Sequence, residues 1–295
     1  MVGHHPRGAP KGCRVIGPLG LVRDLRRAVD GAARRLRGDD DEDEWGYDGS
    51  FAAAADPLLS FLYDRWWRVT ATGTEHVPRD GRALLVANHA GVLPWDATMT
   101  ATAVRRAGIA RDPRFLVLDW AFGLPLASVA IRRCGGVPAS PYNALRLLQQ
   151  EHLVMVFPEG AKGVGKPWSE RYRLQRFGRG GFVQLALRTD APIIPVAIVG
   201  SEEIYPKLGE LPGVARLLGA PYMPITPTFP LLGPLGAIPL PSRWRIAFGE
   251  PVALGGLGPE AADDRAIVLE ISEHVRDRIQ AMVLTSLIER QGAFR

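Results

Sequence analysis

A histidine and two carboxylates stand where acid–base chemistry can be assembled. His89 comes two positions after the apolar run 83–87, and Asp96 lies seven residues further along the chain. Glu159 comes two positions after a second apolar run, 153–157, within the sequence Phe-Pro-Glu-Gly. A neutral imidazole that is aligned by a carboxylate can remove a proton from a hydroxyl group. The residue types therefore predict a general base, a carboxylate that orients it, and a polar group that binds nearby.

The two apolar runs explain how residues far apart in sequence can meet. Short continuous apolar runs are typical of strands that are buried on both faces. The carboxyl ends of parallel strands share one edge of the sheet, where α/β proteins place their sites. The sequence contains no Gly-x-Ser-x-Gly turn and no other well-placed serine or cysteine nucleophile. The hydroxyl that is activated is therefore expected to belong to the substrate.

These motifs together resemble one enzyme family. The histidine block 88–96 (Asn-His…Asp) and the block 156–160 (VFPEG) are similar to those of the glycerolipid acyltransferases, the 1-acylglycerol-3-phosphate O-acyltransferase type. The resemblance covers roughly 56–251, and 191–200 (APIIPVAIVG) is similar to the last block of the family. The family usually has four residues between the histidine and the aspartate, whereas this chain has six. The longer spacing suggests a subgroup that acts on neutral lipids or on a broad range of glycerol acceptors.

The resemblance implies a mechanism and a role for each residue. In the family, the histidine deprotonates the acceptor alcohol, which then attacks an acyl thioester directly. His89 is therefore expected to be the base, and Asp96 to orient it and to stabilise its protonated form. Glu159 and Gly160 are expected to place the acceptor, since the matching glutamate of the family holds acceptor hydroxyls.

Basic residues offer possible binding sites for phosphate. Arg132 and Arg133 follow an apolar helix, where basic residues ordinarily complement the helix dipole. The resemblance implies that one of the two binds the phosphate of the acceptor. Lys162 and Lys166 belong to a basic stretch after Glu159 that also contains Arg171, Arg173, Arg176 and Arg179. We predict that this stretch binds a phosphate of the acceptor or of the donor; a solvated loop is the alternative.

Strands and helices alternate along the chain, which predicts an α/β fold with a mostly parallel central sheet flanked by helices. The predicted strands are 68–72, 83–87, 114–118, 153–157, 193–199 and 243–248. The predicted helices, after an amphipathic one that begins at Asp56 and ends at Trp67, are 95–107, 122–132, 142–151, 181–188 and 263–290. The acyltransferase domain is expected to comprise residues 45–295, after an N-terminal arm, 1–44, that is disordered and is basic and then acidic.

Three segments bear on membrane contact. Residues 19–37 combine an apolar stripe with six arginines, and a basic amphipathic helix can lie on an anionic bilayer. A solvated arm whose charge is neutralised by the acidic run 39–44 is the alternative. Residues 223–241 are apolar but too rich in proline for an α-helix. Because no run of about 20 apolar residues occurs, we expect a cytoplasmic protein that binds the membrane surface peripherally.

Composition narrows the function classes. The 295 residues are 46% hydrophobic, enough to bury a full core, and the net charge of +5 favours an anionic partner. Nucleic acid is a poor candidate because no basic stripe is interleaved with aromatic residues and no nucleic-acid-binding motif occurs. Cys13 and Cys134, the two cysteines, lie far apart and are expected to be reduced thiols. No Cys-x-x-Cys pair or His-Glu-x-x-His motif predicts a metal site.

The sequence therefore predicts an O-acyltransferase. It would move a fatty acyl group from acyl-CoA or acyl carrier protein to a hydroxyl of a glycerolipid, lysophosphatidate-like or neutral, without a metal or other cofactor. Two other classes stay open. Residues 160–167 match the G-x-x-x-x-G-K pattern of a nucleotide-binding P-loop, although Pro167 stands where a hydroxyl is needed. The second alternative class is a lipid-binding protein that has the same fold but no catalytic turnover.

Overall fold

A seven-stranded sheet organises the protein. The computed structural model describes residues 42–90, 93–123, 127–160, 163, 165–217, 223–254, 256–290 and 292–293. The strands are β1 (Thr70–Thr72), β2 (Ala83–Ala87), β3 (Arg114–Val117), β4 (Gly136–Pro138), β5 (Leu153–Val156), β6 (Ile193–Val199), β7 (Gly209–Glu210), β8 (Pro224–Ile225) and β9 (Arg245–Phe248). The central sheet has the order β1-β9-β6-β2-β5-β3-β4, and every neighbouring pair is parallel except β6 and β9. The predicted α/β fold with a mostly parallel sheet is confirmed.

Helices flank this sheet. They are α1 (Gly49–Phe61, continued by a π-helical turn, Leu62–Trp66), α2 (Trp95–Arg106), α3 (Asp119–Phe122), α4 (Ala127–Arg133), α5 (Pro141–Gln149), α6 (Gly181–Thr189), α7 (Pro212–Leu217) and α8 (Arg265–Glu289). The helix predicted at 122–132 is found as α3 and α4, with 124–126 outside the described residues. Strand β4 and the antiparallel pair β7–β8 were not predicted; each has two or three residues, too few to show a periodic pattern.

Successive residues of each central strand pack into two different cores. On one face, Leu85, Met155 and Ile198 join a cluster that contains Trp67 from the end of the first helical segment and Met99 of α2. On the other face, strand residues that include Leu84, Val86, Val154 and Val199 join a cluster with residues of α5, α6 and α8. Side chains alternate between the faces of a strand, so a strand buried on both faces must be apolar throughout. The runs at 83–87 and 153–157 are apolar for this reason.

Helix α8 shows how a mixed sequence yields one buried face. The Asp264 side chain accepts hydrogen bonds from the backbone N–H groups of Ala266 and Ile267 and caps the helix N-terminus. Its buried residues recur every three or four positions: Val268, Ser272, Val275, Ile279, Val283 and Ser286. Charged residues, among them Glu270, Glu273 and Asp277, lie on the exposed side together with a few apolar ones such as Ile288. Among the described residues, no helix combines the length and apolar character needed to cross a membrane.

The first described residues are acidic and bind arginines of the domain. Glu42 pairs with Arg133 at 2.8 Å, Asp43 with Arg114 at 2.5 Å, and Glu44 with Arg146. These three carboxylates, which the sequence analysis placed in the arm 1–44, are therefore engaged with α4, β3 and α5. The predicted basic helix at 19–37 lies outside the described residues.

Candidate active site

The carboxyl ends of β2 and β5 lie side by side. The two strands are parallel neighbours, with Val86 opposite Val156, so the residues that follow them emerge at the same sheet edge. Asn88 fixes the end of β2 on its other side, because its amide accepts from Ile198 N–H at 2.7 Å and donates to Ile198 O at 2.8 Å. The buried Asn88 side chain thus continues the pairing with β6 one step beyond the strand. His89 leaves the sheet from a rigidly held position.

His89 and Asp96 are in direct contact. The Nδ1 atom of His89 is 2.9 Å from Oδ2 of Asp96, and the same oxygen accepts from the Ala90 N–H at 2.7 Å. The Asp96 side chain is fully buried in the first turn of α2, where the helix N-terminus favours a carboxylate. A carboxylate only accepts, so Nδ1 of His89 donates to it, and in the neutral imidazole the lone pair is then on Nε2. The six intervening residues therefore allow the arrangement that a general base needs.

Glu159 supports the backbone of the histidine loop. Its Oε1 accepts from the His89 N–H at 3.1 Å, and its Oε2 accepts from the Gln175 N–H at 2.7 Å. The Glu159 side chain has no exposed surface. Lys166 Nζ lies 3.4 Å from Glu159 Oε2 and 3.0 Å from Glu202 Oε1. The sequence analysis expected Glu159 to contact the acceptor, whereas its described contacts are with the backbone and with Lys166.

The Glu159–Lys166–Glu202 cluster is buried and pairs one ammonium with two carboxyl groups. The Lys166 side chain is 4% exposed, and its ammonium group also donates to Arg173 O at 3.3 Å. Burial raises the pKa of Glu202, and the positive charge of Lys166 opposes that rise. Lys166 was predicted to bind a phosphate; its ammonium is instead held between two carboxylates. Packing around Glu159 is close, since a Cβ at Gly163 would lie 2.6 Å from Glu159 Cβ.

A first apolar cavity of about 370 Å³ opens at His89. Its walls come from β3, the starts of α5 and α6, and the aromatic ring of Phe157. That ring stacks on the imidazole of His89, with centroids 4.4 Å apart and planes 29° apart. Gly160, whose φ of +55° is in the left-handed region that favours glycine, also lines this cavity. The imidazole therefore faces a space that suits an apolar chain.

A second apolar cavity, of about 260 Å³, lies beside the first. Ala90, next to His89, contributes to its wall, and Trp120 lines both cavities. The proline-rich segment 223–241 covers it through Phe229 and Ala237, among others. That segment is anchored to the domain by its backbone carbonyls: Trp66 donates to Pro239 O at 3.0 Å, Trp67 to Leu240 O at 3.2 Å and Tyr205 to Ala237 O at 2.6 Å. It contains β8 and a 3₁₀ turn, Gly233–Ala237, and no α-helix among its described residues.

The remaining predicted binding residues lie in different places. Arg133 is paired with Glu42, and the guanidinium of Arg132 lies 5.8 Å from the ring of Phe122. Neither arginine is among the described residues that line the two cavities. Lys162 lies outside the described residues. The binding roles of these residues stay predictions.

Exposed arginines surround a depression next to the first cavity. Arg176, Arg179 and Arg265 line it, and Arg179 also lines the first cavity. Two of the three belong to the basic stretch that the sequence analysis expected to bind phosphate. The third, Arg265, begins α8 and is brought there only by the fold. Three guanidinium groups on one surface favour an anionic ligand.

The comparisons with known proteins agree with this geometry. Residues 68–199 match the Acyltransferase family. The crystal structure of the 1-acyl-sn-glycerophosphate (LPA) acyltransferase, PlsC, from Thermotoga maritima superimposes with a TM-score of 0.54 at 17% identity, covering 92% of this chain and 99% of that one. The chain carries an Acyltransferase domain and shares the fold of that structure. The matched segment contains His89, Asp96 and Glu159.

Two further proteins are similar to this chain, one at high and one at low sequence identity. An uncharacterized protein of Mycobacterium tuberculosis (strain ATCC 25618 / H37Rv) is 51% identical over 273 residues, which are 92% of this chain and 76% of that protein. The Bos taurus protein named DGAT1/2-independent enzyme synthesizing storage lipids is 23% identical over 220 residues, which are 74% of this chain and 60% of that protein.

The P-loop interpretation of 160–167 finds no structural support. A P-loop needs a helix whose N-terminus points at the phosphates. Among the described residues from Gly165 to Gly180, the only helical element is the 3₁₀ turn Trp168–Glu170. The lysine of the pattern, Lys166, is held by two carboxylates.

Sequence reasoning missed several groups of the site. Phe157 stood inside a recognised motif, but its stacking on His89 was not foreseen. Trp120 and Ser201 line the cavities without any motif around them. Glu202 follows the apolar strand β6, just as Glu159 follows β5, and that repeated placement at a strand end was the available signal.

Proposed function

We propose that the protein transfers a fatty acyl group from a thioester to a hydroxyl group of a glycerolipid, with His89 as general base. The observation that carries the proposal is the 2.9 Å contact between His89 Nδ1 and the buried Asp96 carboxylate, at the junction of two apolar cavities. The names of two relatives support the substrate class: one synthesises storage lipids, and the other acts on 1-acyl-sn-glycerophosphate.

The chemistry follows from the orientation of the imidazole. Nε2 of His89 accepts the proton of the acceptor hydroxyl while the hydroxyl oxygen attacks the thioester carbonyl carbon. Asp96 stabilises the imidazolium that forms, because its carboxylate already accepts from Nδ1. When the tetrahedral intermediate collapses, the C–S bond breaks and the thiolate takes the proton from Nε2. The products are an ester and a free thiol, and the reaction requires neither a metal nor a nucleotide.

Two features support a place for the donor. The first cavity is lined mainly by apolar groups and opens at His89, which suits the acyl chain. The depression beside it carries Arg176, Arg179 and Arg265, which suit the phosphates of a pantetheine-linked donor. Coenzyme A and acyl carrier protein share this phosphate chemistry, so the arginines do not discriminate between them.

We also propose peripheral attachment of the enzyme to a membrane. Four large hydrophobic side chains among the described residues of the proline-rich segment are exposed, and Leu231 is the most exposed of them at 87%; the others are Leu232, Leu235 and Ile238. The same segment covers the second cavity. An apolar surface next to a lipid-binding cavity favours uptake of an amphiphilic substrate from a bilayer.

A transfer assay tests the proposed function. The purified protein is incubated with oleoyl-CoA or oleoyl-acyl carrier protein and a panel of glycerolipids, and both the released thiol and the new ester are measured. We expect thiol release that depends on the acceptor, with a stoichiometric ester product identified by mass spectrometry. Thiol release without ester, or no release with either donor, would contradict the proposal.

A further inference from the structure

We propose that the second cavity binds the acceptor and selects an uncharged, lipid-like alcohol over a phosphorylated one. This inference rests on the proposed function and names the class of acceptor for the same site. The position of the cavity supports it: Ala90, adjacent to the base, lies in the wall, and Trp120 lines both this cavity and the one that opens at His89. An acceptor whose hydroxyl reaches from this cavity to His89, with the acyl chain in the first cavity, would bring the hydroxyl against the thioester carbonyl beside the base.

The first argument is that the ammonium groups of the two lysines in the walls are paired with carboxylates. Lys166 lines the cavity, but its ammonium lies between the carboxylates of Glu159 and Glu202, and the Glu202 side chain is itself part of the wall. One ammonium and two carboxylates carry no surplus positive charge, even where burial keeps a proton on Glu202. Lys207, also in the wall, pairs with Glu210.

A phosphate would be poorly stabilised in this setting. Transfer of a charged group from water into an apolar space is unfavourable unless an opposite charge or several donors meet it. Arg171 is the remaining basic residue among the described lining residues; it is exposed, and its guanidinium stacks on Trp168 at 4.4 Å from the ring centroid. The exposed arginines that suit phosphates, Arg176 and Arg179, line the other depression.

The second argument is a hydrogen-bonding group without a partner. Ser201 lies in the wall of the second cavity, is 1% exposed, and its Oγ makes no hydrogen bond within the described part of the chain. Buried hydroxyl groups are nearly always satisfied, and an unsatisfied one costs about 1–3 kcal/mol. An unpartnered neutral hydroxyl in this wall suits an ester or hydroxyl oxygen of an uncharged lipid.

Ser242 provides a matched control. It is also buried, but its Oγ donates to Gly200 O at 3.0 Å and accepts from Trp244 Nε1 at 2.9 Å. Ser201→Ala removes no internal hydrogen bond and should leave Tm unchanged, whereas Ser242→Ala removes two and should lower Tm. If Ser201 binds the acceptor, Ser201→Ala should raise the KM for the acceptor about tenfold, the effect of one neutral hydrogen bond. Ser242→Ala should leave that KM unchanged.

The experiment measures kcat and KM for monoacylglycerol, diacylglycerol and lysophosphatidate at equal mole fractions in detergent micelles, with both oleoyl donors. We expect kcat/KM for at least one uncharged acceptor to exceed that for lysophosphatidate tenfold or more, and Ser201→Ala to raise only the acceptor KM. Equal or better use of lysophosphatidate overturns the inference and leaves the proposed function standing. A Ser201→Ala substitution that changes only Tm or only the donor KM also overturns the inference. If no acceptor receives an acyl group, the inference and the proposed function are both overturned.

Discussion

Replacement of Asp96 by asparagine separates catalysis from folding at the centre of the site. Oδ2 of Asp96 meets both His89 Nδ1 at 2.9 Å and the Ala90 N–H at 2.7 Å, while Oδ1 has no described partner. In the asparagine variant, the amide oxygen can take the place of Oδ2 and accept both of these hydrogen bonds. The substitution therefore removes the negative charge and leaves the geometry largely intact.

The expected fall in kcat follows from the loss of that single negative charge. A hydrogen bond to a charged group contributes about 1.5–3 kcal/mol. The charge matters most when His89 is protonated, that is, in the transition state, so this energy is lost from the activation step. At about 1.4 kcal/mol per factor of ten, kcat should fall about 10- to 100-fold while the KM for the acceptor stays nearly unchanged.

Initial rates of thiol release and Tm values test this expectation. Asp112→Asn is the control: Asp112 accepts from Tyr47 at 2.6 Å and pairs with Arg105 at 3.0 Å, and it is not among the described residues that line the two cavities. That variant should lower Tm and leave kcat unchanged. The reasoning is refuted if Asp96→Asn lowers only Tm, because Asp96 would then act only at the start of α2.

Three further predictions concern the support of the site, the membrane and pH. Glu159→Gln should lower kcat about tenfold or more and leave the acceptor KM unchanged, because the buried carboxylate holds the His89 loop; a selective rise in KM would mean that Glu159 contacts the acceptor. Leu231→Asp with Leu235→Asp should reduce sedimentation with lipid vesicles, whereas Ile288→Asp, at an equally exposed position on α8, should not; equal binding by all three proteins would exclude the proline-rich segment as the anchor. Burial lowers the pKa of His152 below its ordinary value of 6.5, so the folded state resists protonation there. The free energy of unfolding should therefore fall as the pH drops below about 6.5. Urea unfolding at several pH values should show a smaller fall for His152→Gln than for the parent protein, and an equal fall would contradict this assignment.

Much of the fold follows from local pattern. The buried strands β2, β5 and β6 are apolar at every position, and their bounds were predicted to within one residue. The short strands β4, β7 and β8 were not predicted, because two or three residues carry no period of their own; β1 is as short and was predicted only within the longer segment 68–72.

The candidate site, like the fold, could be predicted only in part from the sequence. His89 and Asp96 are close in sequence and carry a recognisable motif, so their contact could be expected. The cluster of Glu159, Lys166 and Glu202 could not, because it forms where the segment after β5 meets the segment after β6. The cavities likewise depend on how the proline-rich segment and the starts of α5 and α6 pack over the sheet edge, which no local sequence pattern specifies.

The central claim is that His89 is the base that activates the acceptor. The most direct test is single-turnover acyl transfer by His89→Ala, with the ester product identified by mass spectrometry and folding checked by Tm. His274→Ala, which removes an exposed histidine on α8, is the control. Loss of a general base should slow transfer by His89→Ala about 10²- to 10⁴-fold with little change in Tm, and the control should match the parent protein. Transfer by folded His89→Ala at close to the parent rate would contradict the mechanism.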